Sequence, residues 1–476
     1  MSGNLSNNRK RLCLALIWMV LCFVLNGEFH DGSLLSHHVI TACSLASYAM
    51  CIVNWVSCGN RVLSLYNLFV LYMLLSNLGE SILYMFGFPE DLMLVYVKAS
   101  LEQVNAMLRF QLLCAAGMNL GTMLYIYKAK HCISMQAQRE AYKQSEPLTV
   151  GEYTILDVLL FISMAYVVLF SIRMFLLRQV VDYETFYHTR QGWTTFIGQI
   201  LNFLSVTLSL WFLFKKRYIF TIYLFLIWCV SIYMLIGARS LSISYFCILI
   251  VMLPLTHSGF FRKRYAIVWM IAAFVGFAVL SIISNYRTAA IGTISFGSDL
   301  PIWVSALDTI SEMGMSASTS IMTMEEVARG FPLHQTILTT IINAFVPFIS
   351  DLPFMQEEFM HLSKWATDLA GSDGSGYGFC CIAEAYINYG NLGWIFFIVY
   401  GLFIAYAENT AYRRIMRGSY PYAIFLLTFL ARQIFFARGE LGLSSGTLRF
   451  CVYAAIIIWF WQMIKRSRET VKWEKQ

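Results

Sequence analysis

The stretch LNFLSVTLSLWFLFKKRYIFTIYLFLIWCVSIYMLIGARS, residues 201–240, decides the fold. Two apolar runs, within 194–214 and 218–236, are joined by nothing but Lys215, Lys216 and Arg217. A helix needs roughly 20 apolar residues to cross a hydrocarbon core, and both runs approach that length. Three adjacent cations do not enter lipid, and Lys and Arg next to spans are retained in the cytoplasm. The stretch therefore reads as a helical hairpin through a bilayer, with its basic turn on the cytoplasmic side.

Working outward, similar runs fall at 12–27, 36–57, 62–86, 104–127 and 153–175, then at 240–256, 265–284, 379–408, 420–437 and 447–464. With 58% hydrophobic and 13% charged residues, the chain cannot build the surface of a soluble domain, where roughly a quarter of residues are charged. The runs lack the alternation of barrel strands, so helices must satisfy the backbone in lipid. The expectation is an all-α polytopic membrane protein of about 12 transmembrane helices. One large loop, expected on the outer face, lies between helices 9 and 10.

Orientation follows from the cations. With the N-terminus inside, 22 of the 34 Lys and Arg residues lie on the cytoplasmic side, in clusters around Arg9, Arg61, Lys128, Lys215, Arg262, Arg413 and Lys465. Both termini are then cytoplasmic. The net charge of +7 is accounted for by topology, and no nucleic-acid partner is implied. The first run is read as a retained span, since residues 20–36 lack a small-residue cleavage site.

Three regions result: helices 1–9 in 1–284, the loop in 285–378, and helices 10–12 with a basic tail in 379–476. A loop of that length on a rigid scaffold is where function is expected. Segments 307–330 and 355–371 have the pattern of short amphipathic helices, with Pro347, Pro353 and GSDGSGYG at 371–378 as breakers.

Of the twelve basic residues outside the cytoplasmic set, ten are Arg, against 12 Arg and 10 Lys inside. Guanidinium pairs bidentately with phosphate or carboxylate and stays charged when partly desolvated. An anionic ligand at the outer face is implied, with Arg239, Arg287, Arg432 and Arg438 favoured because each sits at a span end in a small or polar context. The competing role for any one of them is snorkelling to headgroups or pairing inside the bundle. Charges at membrane depth, including Glu80, Arg109 and Glu384, are costly unless paired or hydrated. The sequence carries no acidic cluster suited to a divalent cation, no HExxH and no P-loop. The chemistry is expected to need neither metal, nucleotide nor other cofactor. The twelve cysteines, including adjacent Cys380 and Cys381, read as small apolar packers.

The run GSGYGFCCIAEAYINYGNLGW at 374–394 resembles the signature that follows the large outer loop in Wzy-type O-antigen and repeat-unit polymerases. The matching positions are the glycines, Ile382-Ala383-Glu384, Tyr386, Asn388, Gly390 and Gly393. IGARS at 236–240 and LARQIFFARGELG at 430–442 extend the likeness. The resemblance implies an enzyme of a bacterial inner membrane that joins undecaprenyl-pyrophosphate-linked oligosaccharides at the periplasmic face. A flippase and a chain-length regulator are its expected pathway partners. The pyrophosphate leaving group suits an Arg cluster. The base for the acceptor hydroxyl is to be sought among Glu384, His334 and His361. Two rivals remain: an O-antigen ligase, which uses the same donor, and a flippase or transporter of lipid-linked sugar.

Overall fold

The computed structural model describes residues 2–29, 32–129, 154–178, 196–214, 217–231, 246–252, 310–346, 362–371, 378–417, 420–442 and 447–453, with the isolated positions 307 and 456. Among the described residues the regular structure is helical. The expected spans at 240–256 and 447–464 are described only in part, and that at 265–284 lies outside the described residues.

Helices α1 (Ser2–Glu28), α2 (Leu34–Ser57) and α3 (Leu65–Met85) cover the first three expected spans. A short α4 (Leu94–Lys98) leads into the long α5 (Leu101–Ala129), and α6 (Thr154–Arg178), α7 (Phe196–Phe214) and α8 (Tyr218–Cys229) follow. The loop region contributes α9 (Ala317–Ala328), α10 (Thr336–Phe345) and α11 (Leu362–Leu369). The chain re-enters the bundle as α12 (Cys381–Tyr389), α13 (Gly393–Met416) and α14 (Tyr420–Phe436). Among the described residues, five stretches are long and apolar enough to cross a membrane: Asn7–Glu28, Leu34–Ser57, Leu65–Met85, Asp157–Leu177 and Cys381–Met416.

Helix α5 is not among those five, and its surroundings explain why. It packs against α1, α2 and α13 and is buried along most of its length, so its sequence answers to helices, not to lipid. Polar side chains cost little there if they find partners. Gln111 Nε2 donates to Tyr48 Oη at 3.2 Å, Asn119 Oδ1 accepts from Asn54 Nδ2 at 3.0 Å, and Thr122 Oγ1 donates to Tyr66 Oη at 3.0 Å. Where α5 crosses α13, both present glycine. A Cβ on Gly117 would sit 2.8 Å from the Trp394 carbonyl, and one on Gly121 would overlap the Ile398 carbonyl outright. Small residues four apart are what lets two backbones approach this closely.

The span expected as one run over 379–408 is broken. A 3-10 turn at Gly390–Leu392 separates α12 from α13. Gly390 holds φ at +54°, and a Cβ on Gly393 would lie 2.6 Å from the Ala385 carbonyl. The turn is thus built from two residues whose missing Cβ it requires. The loop also differs from expectation. α9 and α11 fall within the amphipathic segments, whereas α10, TILTTIINAF, was not anticipated, its β-branched run having little helical propensity of its own.

Candidate functional site

At its N-terminus α12 is capped by Cys380, whose side chain accepts from the Ala383 N–H at 3.5 Å. Cys380 and Cys381 are both buried thiols, not a disulfide. One helical turn apart on the same face stand Glu384 and Asn388, each about 1% exposed. Asn388 is fully engaged. Its Oδ1 accepts from the Ile337 N–H at 3.0 Å, satisfying one of the orphan donors at the start of α10. Its Nδ2 donates to the Glu384 carbonyl at 2.7 Å and to Thr336 Oγ1 at 2.8 Å. Thr336 in turn donates to Glu384 Oε1 at 3.1 Å. The hydroxyl therefore relays a directed chain from amide to carboxylate.

The other oxygen, Glu384 Oε2, accepts from the Leu441 N–H at 2.7 Å, just beyond the end of α14. One carboxylate thus holds together the loop helix α10, the bundle helix α12 and the turn after α14. Each of its oxygens has one partner here, and a carboxylate accepts about four hydrogen bonds, so capacity for a further donor remains.

Three more buried glutamates work as caps for helices distant in sequence. Glu440 Oε2 accepts from the Leu362 N–H at 2.6 Å and the Ser363 N–H at 3.3 Å, at the start of α11. Glu80 accepts from the Leu94 and Val95 N–H groups at 3.1 and 2.8 Å, at the start of α4, and from Ser311 Oγ at 3.3 Å. Glu408 accepts from the Leu65 and Tyr66 N–H groups at 3.1 and 2.8 Å, at the start of α3. A carboxylate over a helix N-terminus satisfies orphan donors and complements the positive end of the macrodipole. Glu440 thereby ties the loop helix α11 to the turn after α14, as Asn388 ties α10 to α12.

His334 precedes α10, and its N–H donates to the Ile387 carbonyl at 3.0 Å. It is two residues from Thr336, so the segments carrying His334, Glu384 and Arg438 converge at one end of the bundle. Arg432 and Arg438 are half-buried. The Arg432 guanidinium carbon lies 5.4 Å from the Phe435 ring centre. Arg449, near the chain's end, anchors the far end of α10, its Nη2 donating at 2.9 Å to both the backbone carbonyl and Oδ1 of Asn343. Arg239, Arg287 and His361 lie outside the described residues.

Beside His334 runs a row of rings. Phe331 lies 5.1 Å from His334 and 5.2 Å from Trp365 on α11, centroid to centroid, and Trp365 lies 6.4 Å from Phe379. The first three are half-exposed and Phe379 is fully buried.

Thr336, Asn388 and Glu440 are the residues that sequence reasoning left out of the site. Asn388 had a signal, since it stands four residues after Glu384 and so shares its face. Glu440 lay inside the 430–442 run of the family likeness but nothing pointed to its partner, 78 residues away, and Thr336, 48 residues from Glu384, had no signal.

No curated protein and no solved structure matches the chain. A family model does, over residues 12–467, which takes in every helix from α2 to α14, the broken helix with Glu384 and the Arg-bearing turn after α14. With that coverage, the chain belongs to the O-antigen polysaccharide polymerase Wzy family.

Proposed function

We propose that the protein joins undecaprenyl-pyrophosphate-linked oligosaccharide repeat units into O-antigen or a capsule-like polysaccharide. The growing chain is transferred onto the sugar end of a new lipid-linked repeat at the periplasmic face of the inner membrane. The scaffold for this reading has twelve spans with both termini cytoplasmic, and the loop over 285–378 is periplasmic.

The observation that carries the mechanism is the convergence of the loop on Glu384. A glycosyl transfer of this kind breaks the anomeric C–O bond to pyrophosphate and forms one to an acceptor hydroxyl, whose proton must be taken up. Glu384 accepts that proton in this reading, with His334 and His361 as the other candidates. Glu384 is buried, so the acceptor reaches it only when Thr336 or the Leu441 turn shifts, which couples chemistry to movement of the loop. Arg239, Arg287, Arg432 and Arg438 neutralise the charge that develops on the leaving pyrophosphate. Since the leaving group is already activated, the reaction is metal-independent, and full activity in excess chelator is expected. Activity lost to chelator and restored by a divalent cation would refute that.

Deletion of the gene in its host, followed by size separation of surface glycolipids, tests the function. A ladder collapsed to core carrying a single repeat supports polymerisation. Disappearance of all surface glycan overturns it, with stranded polymer pointing to ligation and stranded single repeats at the inner face to transport. A flippase and a chain-length regulator are the proposed pathway partners.

A further inference from the structure

We propose that the half-exposed rings of Phe331, Trp365 and His334 form a sugar-stacking subsite that seats one pyranose ring of the glycan substrate beside Glu384. The inference rests on the polymerase reading and specifies where that reaction holds its glycan.

Three observations lead to it. First, the rings form a row at the edge of the core: Phe331 and Trp365 pack against it and keep part of their surface exposed. Neighbouring centroids are 5.1 and 5.2 Å apart with planes inclined by 43° and 36°. The shelf stops against the buried Phe379, which backs Trp365 edge-on at 71°. On α11, Leu362 and Ala366 point into the protein, while Trp365 is partly buried beside them. Second, the rim is mixed, with polar groups among the exposed Leu333 and Leu369. Gln335, Lys364 and Asp368 are exposed around the row, supplying both donors and acceptors. An apolar platform edged by such groups matches a pyranose, which has a C–H face and a belt of hydroxyls. The C–H face carries slight positive charge and complements the negative face of an aromatic ring. Third, the shelf is continuous with the site. His334 is fixed by its N–H to the Ile387 carbonyl, on the helix of Glu384 and Asn388. Glu440, in the turn that contributes Leu441 to Glu384, caps the helix carrying Trp365. A sugar on the shelf therefore lies against elements held by the same two glutamates.

The test uses full-length protein in lipid nanodiscs. The substrate is the lipid-linked single repeats that accumulate in a host deleted for the gene. Trp365→Leu removes the ring and keeps an apolar side chain, while Trp365→Phe keeps a ring. For Trp365→Leu, KM for lipid-linked repeats is expected to rise about tenfold, the upper end of one aromatic contact, with kcat nearly unchanged. Trp365→Phe stays close to wild type. Oligosaccharide released from its lipid by mild acid inhibits the wild type and inhibits Trp365→Leu far less. Should Trp365→Leu fail to accumulate, Phe331→Leu against Phe331→Tyr gives the same comparison. Unchanged KM, equal defects in the Leu and Phe variants, or a loss confined to kcat would overturn the subsite. So would inhibition by polyprenyl phosphate with none by free oligosaccharide. Failure of the wild type to extend any repeat is a different result, which removes the polymerase reading and the subsite with it.

Discussion

Glu384 and Glu408 stand 24 residues apart on the broken pair α12–α13, both buried and each accepting two short hydrogen bonds. Their partners differ. Glu408 takes two backbone N–H groups from the start of α3, and Arg61, only 5% exposed, contributes a favourable charge nearby while stacking 4.6 Å from the Tyr412 ring. Arg61 also donates to the Val251 carbonyl at 3.3 Å. Everything around Glu408 belongs to the bundle. Glu384 instead takes one hydroxyl from the loop and one N–H from a turn. The same residue type, equally buried, is a rivet between bundle helices at one end of the pair and a junction with the loop and a turn at the other. In the proposed role as base, Glu384 would be reached by displacing a partner from the loop or the turn.

Removing the carboxylate at each position should expose that difference. Glu408→Ala strands the Leu65 and Tyr66 N–H groups at the start of α3, where Ser64 still caps Asn67, and removes the favourable charge near buried Arg61; two buried donors left without acceptors at about 1–3 kcal/mol each make a loss of several kcal/mol. That is comparable to the entire stability of many domains, so the variant is expected to vanish from the membrane fraction on an immunoblot. Normal accumulation would show that Glu408 is not a rivet. Glu384→Gln is the sharper case. The amide still accepts one hydrogen bond, and the mismatch at the other oxygen costs about 1 kcal/mol. The protein should therefore accumulate while polymer formation falls by about 10²-fold or more, the usual weight of a general base. Wild-type polymer from Glu384→Gln would assign the proton transfer elsewhere, to His334 first.

The two ends were not equally legible in the sequence. Hydropathy located the helices that face lipid, because there the solvent dictates composition, as at Asp157–Leu177. It read α5 as one more span of the same kind, when its Gln111, Asn119 and Thr122 are chosen by the helices around it. Gly390 and Gly393 were visible as glycines but not as a break, since a turn of three residues leaves the apolar run intact. At the site, Glu384 stood out as a charge in an apolar stretch. The caps did not, because a carboxylate meeting a helix start 78 residues away, as Glu440 meets Leu362, leaves no local pattern. Charge and periodicity are written along the chain, whereas capping between distant segments is settled only when the chain folds.

The smallest effect is expected at the hydroxyl that joins the two kinds of contact. Thr336 Oγ1 accepts from Asn388 Nδ2 and donates to Glu384 Oε1, so Thr336→Val strands one donor and one acceptor among buried groups. Each such orphan would cost about 1–3 kcal/mol if its residue kept no other partner. Asn388, however, keeps its bonds to the Ile337 N–H and the Glu384 carbonyl, and Glu384 keeps Leu441. The start of α10 stays pinned, so the variant should insert and accumulate with a modest fall in thermal stability and a severalfold drop in polymer yield. Thr336→Ser retains the hydroxyl and should match the wild type in both. If Thr336→Val instead abolished accumulation as Glu408→Ala does, the loop contact would be as structural as the rivet. Equal polymer from Val and Ser would mean that the relay does not tune Glu384. A partial loss, restored by serine, is the outcome that ties the position of the loop to the state of the carboxylate.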